Sequence, residues 1–122
     1  MSAKPNPKAS TGVLTPAEAI AHYEDAVKAQ ATAANYVELG VAYYIAHRWD
    51  EAVAAFEKAV ALDSKEAYAH YYLGLLYAAA GQREKANGAL ERVLQATDNN
   101  MLKDQAKARI PAVRSPADLG AA

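Results

Sequence analysis

Three histidines, His22, His47 and His70, are the side chains best suited to hold a metal or pass a proton, and fourteen Asp and Glu residues could join them. Imidazole binds transition metals and titrates near neutrality, so two histidines one helical turn apart, or a Glu-flanked pair of the zinc-hydrolase kind, would mark a catalytic centre. Neither pattern occurs: the three histidines fall in three different predicted elements, and there is no His-x3-His pair. With no cysteine in the chain, thiolate catalysis, disulfides and Cys-based zinc or iron–sulfur sites are excluded. No glycine-rich run of the phosphate-binding kind is present. The reading is a protein that is not an enzyme, with no catalytic, cofactor or metal residues; the histidines pack or face solvent.

Charge points the same way. Thirteen basic and fourteen acidic side chains give a net charge of −1, and no Lys/Arg cluster exceeds a pair, so nucleic acid is not an expected partner. Glu24, Asp25, Glu57, Lys58, Glu91 and Arg92 sit at helix-surface spacing and read as a solvated face. Met1 to Pro16 lacks an apolar run long enough for a signal peptide or membrane helix, so a cytoplasmic location without membrane insertion is expected.

The elements that would position any site are helices. Hydrophobic residues make up 52 % of the 122-residue chain, with alanine dominant, and alanine combines the best helix propensity with little volume. Residues 1–14, polar and proline-containing, are predicted to be a flexible leader. Thr15-Pro16-Ala17-Glu18 is a helix start: Thr15 can cap free N–H groups, Pro16 suits the first turn, and Glu18 can reach back. Ala19, Ile20, Tyr23, Ala26 and Val27 then share one face.

Two longer segments repeat at an offset of 34 residues. The identities are Ala33/Ala67, Leu39/Leu73, Gly40/Gly74, Tyr43/Tyr77, Ala46/Ala80, Ala52/Ala86, Ala55/Ala89 and Glu57/Glu91. Such a fixed period signals stacked repeats. The first copy divides into helices over Asn35–Ala46 and Glu51–Leu62 around the turn His47–Asp50; the second into Tyr68–Ala80 and Glu84–Ala96 around Gly81-Gln82. Gly81 suits a left-handed helix end, which His47 must tolerate or avoid. A last helix is predicted over Asn100–Ile110, stopped by Pro111, with a flexible tail over 111–122. The domain therefore reads as a half repeat over 15–32, repeats over 33–66 and 67–100, and a capping helix over 100–110.

At these residues the chain resembles the tetratricopeptide-repeat family, whose pattern is W-x2-L-G-x2-Y followed by A-x3-F. Copy one reads Tyr36-x2-Leu39-Gly40-x2-Tyr43 and Ala52-x3-Phe56; copy two reads His70-x2-Leu73-Gly74-x2-Tyr77 and Ala86-x3-Leu90. The Ala19-x3-Tyr23 helix is similar to the second half of an earlier repeat, one residue out of step. Copy two departs at the aromatic opener, and Ser64 and Asp98 stand at the proline places. The resemblance implies an all-α solenoid of antiparallel helix pairs, about six helices in a right-handed superhelix. Gly40, Gly74, Ala52 and Ala86 would allow close helix crossings, and Asp104 and Lys107 make the last helix read as a polar cap.

The resemblance also implies a ligand groove lined by the first helix of each pair, here by Val37, Val41, Tyr44, Tyr68, Tyr71, Leu75 and Ala78. Val41 and Leu75 stand where members that clamp a terminal carboxylate carry asparagine, and no lysine or arginine is expected beside them. An apolar, tyrosine-rich groove fits instead a protein or peptide segment with apolar anchors. Tyr36, Tyr43, Tyr72 and Tyr77 are assigned to packing, and Trp49 to closing a helix pair. A homo-oligomer formed through the groove or the open solenoid ends is the rival expectation.

Overall fold

A computed structural model describes residues 13–113, with side chains through Ile110. Six helices follow one another among the described residues: α1 Pro16–Ala29, α2 Ala33–Ile45, α3 Trp49–Leu62, α4 Ala67–Ala79, α5 Arg83–Ala96 and α6 Asn100–Val113. Each packs on its sequence neighbours, and α2 also reaches α4, so the chain is an all-α solenoid.

Local chemistry fixes the element ends. Thr15 forms the capping box: its Oγ1 accepts from the Glu18 N–H at 3.1 Å and its N–H donates to Glu18 Oε1 at 2.9 Å. The loops into α2 and α6 have three residues, and each supplies a side-chain cap, Thr32 Oγ1 to the Asn35 N–H and Asn99 Oδ1 to the Leu102 N–H, both 3.1 Å. The four-residue loop into α4 ends at Glu66, which makes no such bond.

Between the helices of a pair, His47 and Gly81 both take left-handed backbone, at φ 62° and 79°. The bonds around them match: Arg48 N–H to Tyr43 O and His47 N–H to Tyr44 O in one turn, Gln82 N–H to Tyr77 O and Gly81 N–H to Ala78 O in the other. These are Schellman closures, and they satisfy carbonyls that the helix ends would leave bare. A histidine there carries a steric cost that glycine avoids. Its ring is used as well, stacked on Trp49 at 5.0 Å.

Packing follows the repeat. A Cβ on Gly40 would come within 2.7 Å of the Phe56 ring, and one on Gly74 within 2.6 Å of the Leu90 side chain. Glycine is therefore what lets α2 lie against α3, and α4 against α5. Leu39 and Leu73 are both buried, as are Ala52 and Ala86. Phe56, fully buried, stacks parallel on Tyr72 of α4 at 5.1 Å and joins the two pairs. A second cluster joins Tyr71, Leu90 and Val93 to Leu102, Ala106 and Ile110 of α6. Asp104 and Lys107 are exposed on the far side of α6.

The last helix differs from expectation. It passes Pro111 and continues to Val113, the last described residue, because a proline removes only one backbone donor. The expected leader over 1–14 lies outside the described residues except for 13–14, and the expected tail over 111–122 except for 111–113, which are helical.

Polar latches cross the seams between pairs. The Tyr43 hydroxyl on α2 donates to Glu24 Oε2 on α1 at 2.7 Å, and Tyr77 on α4 repeats the contact to Glu57 Oε2 on α3 at 2.6 Å. Their rings carry a cation each, Arg48 over Tyr43 at 5.1 Å and Lys85 over Tyr77 at 4.8 Å. Burial first, then the hydrogen bond to Glu24, pushes the Tyr43 phenol up to about 12; burial and Glu57 raise Tyr77 further. Both folded values lie above that of an unfolded tyrosine, so the latch stability is complete below about pH 10 and is lost as pH rises through the folded values. Thermal melts between pH 9 and 12 should show a falling midpoint. In Tyr43→Phe/Tyr77→Phe the fall should be shallower, from a start lower by about 1–2 kcal/mol per latch. Parallel slopes in the two proteins would contradict the latches.

Candidate functional site

The face formed by α2 and α4, closed at one end by α6, holds the residues that the sequence marks. Val37 and Val41 are half-buried on α2 and pack against the first core cluster. Tyr44, one turn on, is half-buried, with ring contacts at 5.1 Å to Tyr72 and 5.5 Å to Trp49. On α4, Tyr68 is 49 % exposed while Tyr71 is only 9 % exposed. Leu75 and Ala78 are half-buried beside the second cluster.

The structure brings Tyr44, Leu75 and Ala78 together around a cavity of about 430 Å³ that also meets Gly74, Leu90 and Arg109. A second cavity of about 370 Å³ lies against Tyr44, Trp49, Asp50, Val53, Leu75 and Leu76. The two share Tyr44 and Leu75, so an apolar strip runs from the first turn of α3 toward α6. Val37, Val41, Tyr68 and Tyr71 line neither of these cavities. The Tyr71 hydroxyl accepts from Arg109 Nε at 2.8 Å, and the guanidinium lies over its ring at 5.9 Å.

Two contributors escaped sequence reasoning. Arg109 comes from α6, so the expectation of no arginine beside the groove is corrected: a cation borders Leu75 and Ala78. Its place depends on how α6 docks, which no spacing within the repeats encodes. Trp49 is 47 % exposed and lines a cavity as well as packing on Tyr44 and His47. A tryptophan in a predicted turn was the available signal, because such a large ring normally seeks cover.

The remaining titratable groups do not converge. His70 is buried, with Nε2 2.8 Å from the Ser64 carbonyl, a structural contact. Burial, then the neighbouring tyrosines, raises the Tyr72 phenol. Among the described residues no group of His, Asp or Glu is placed to hold a metal, and no helix is long and apolar enough to cross a membrane.

Comparison with known proteins agrees with this fold. Residues 40–81 match the family described as TPR repeat. The fold is similar to that of a chain in the CopN-Scc3 complex, with TM-score 0.66 and 23 % identity, over 82 % of this chain and 59 % of that one. It is also similar to MamA in two crystal structures. One gives TM-score 0.65 and 25 % identity over 87 % of this chain and 70 % of that one. The other gives 0.64 and 25 % over 93 % and 69 %. This chain thus spans under two thirds of the CopN-Scc3 relative and somewhat over two thirds of each MamA chain. No curated protein matches.

Proposed function

Because the chain is a tetratricopeptide-repeat protein, we propose that it works as an adaptor, holding a peptide or partner segment in the apolar, tyrosine-rich groove along α2 and α4. Repeats of this fold generally mediate protein–protein interaction. The observation that carries the reading is the junction of Tyr44 on α2 with Leu75 and Ala78 on α4 around one open cavity. Such a concave, mostly apolar surface with few polar groups suits a segment presenting spaced apolar anchors. Val37, Val41 and the exposed Tyr68 extend the groove in this proposal, and the buried Tyr71 supports its floor by fixing Arg109. The work proposed is binding without catalysis, in the cytoplasm.

Val41→Glu places a charge on the apolar wall and should weaken capture of a partner by at least about tenfold, a change of about 1.4 kcal/mol. Tyr68→Ala removes an exposed ring and should weaken capture less. Affinity purification with mass spectrometry identifies the captured protein, titration with it gives the affinities, and circular dichroism shows that both variants stay folded. Unaltered affinity in both folded variants would refute the groove assignment. Light scattering across a concentration series addresses the rival occupant, since a second copy in the groove makes the mass rise with concentration and Val41→Glu would abolish that rise.

A further inference from the structure

The cavity at the start of α3 has a composition that an apolar anchor does not require. Tyr44 and Trp49 stand with their rings at 74° and 5.5 Å apart, and Asp50 lines the same space. His47, held in left-handed backbone, stacks on the indole at an interplanar angle of 21° and limits the ring's freedom. Beneath lie Val53, Leu75 and Leu76, and among the described residues no lysine or arginine borders the cavity. Two aromatic walls and a carboxylate over an apolar floor attract a cation carried on an apolar stem: ring quadrupoles face positive charge, and the stem buries its methylenes.

The chain's own neighbouring cation does not fill this role. Arg48 forms a bidentate pair with Glu51, with Nε 2.7 Å from Oε1, and its guanidinium lies over Tyr43 on another face. Asp50 makes no hydrogen bond or ion pair with any described residue. Arg109, at the far end of the apolar strip, is turned onto Tyr71, and its charge directs an incoming cation toward the Asp50 end.

We infer that the Tyr44–Trp49–Asp50 corner is a pocket for an arginine or lysine side chain of a partner segment, the neighbouring Leu75 surface taking an apolar residue of the same segment. This rests on the adaptor reading and names the chemistry of the partner.

Trp49 is the only tryptophan in the chain, so its emission reports this corner directly. The full chain is titrated with three eleven-residue alanine–leucine peptides that differ at one central position, which is arginine, lysine or the uncharged arginine isostere citrulline. Arginine and lysine peptides should change the Trp49 emission saturably and bind at least about fivefold more tightly than the citrulline peptide, as a cation over aromatic rings beside a carboxylate predicts. Asp50→Asn should bring the three within about twofold, and Asp50→Glu should restore the preference. Equal binding of the arginine and citrulline peptides, a preference that survives Asp50→Asn, or no emission change with any peptide at millimolar concentration would each overturn the inference. Binding without charge preference leaves the groove reading intact, since that is tested at Val41 and Tyr68; unaltered partner capture in those variants combined with an intact preference here is the opposite separation.

Discussion

Phe56→Ala should lower stability by about 3–5 kcal/mol, the range for emptying a buried aromatic site. The ring is fully buried, fills the space that Gly40 leaves open, and stacks on Tyr72, so its loss loosens α2, α3 and α4 together. Rigid close-packed neighbours cannot collapse fully into the void, which adds a cavity term to the lost burial. For a chain of this size the melting midpoint should fall by more than about 10 °C. Phe56→Leu imports the residue that copy two carries at position 90 and should cost less than half as much. Chemical denaturation measures both. A loss under about 1 kcal/mol for Phe56→Ala would mean that the glycine crossing does not seat the ring.

Ala106→Glu is the second large effect. Ala106 is fully buried between Leu102 and Ile110 on the face of α6 that covers Leu90 and Val93. A carboxylate there has no partner and no water, and an unpaired buried charge costs several kcal/mol unless the structure opens or the group takes a proton. Detaching α6 is the cheapest release, because α6 packs only at the end of the array. Hydrogen exchange should then show lost protection over α6 and the α5 face beneath it, with α2 and α3 still protected. Ala106→Ser, of similar size and uncharged, should keep the helix docked. Uniform loss of protection throughout the chain would show that the closing helix and the repeats unfold as one unit.

How much of this is legible in the sequence follows from where each signal is stored. The 34-residue offset writes each packing position twice, so Gly40 and Gly74 were legible as equivalent close crossings, while the Phe56 and Leu90 side chains that meet them came from the structure. The capping box at Thr15 and Glu18 is local and was readable for the same reason. Helix starts at Ala33 and Trp49 lie two residues before the expected ones, within the usual uncertainty of element ends. Of the candidate groove, only the placement of its residues on helices was legible. Repeat spacing put Tyr44, Leu75 and Ala78 on the first helices of their pairs, and they meet around one cavity. It could not show that Tyr71 is covered by Arg109, since that pair is 38 residues apart and depends on the docking of a helix outside the repeat. Nor could it decide His47, whose left-handed backbone conflicts with propensity and is held by the turn's hydrogen bonds.

The latch spacing has a further consequence. Glu24 and Tyr43 are 19 residues apart across a three-residue loop, Glu57 and Tyr77 are 20 apart across a four-residue loop, and the one-residue difference is taken up in the linker. The loop into α6 is again short, and the residue 19 positions after Glu91 is Ile110, buried and aliphatic. The joint between α5 and α6 therefore has no tyrosine–glutamate latch, and the Tyr71 phenol that meets α6 accepts from Arg109 instead of donating to a carboxylate. In strong base the protein should part first at the α1–α2 and α3–α4 seams, with α4, α5 and α6 leaving together, so that alkali divides this array into three pieces.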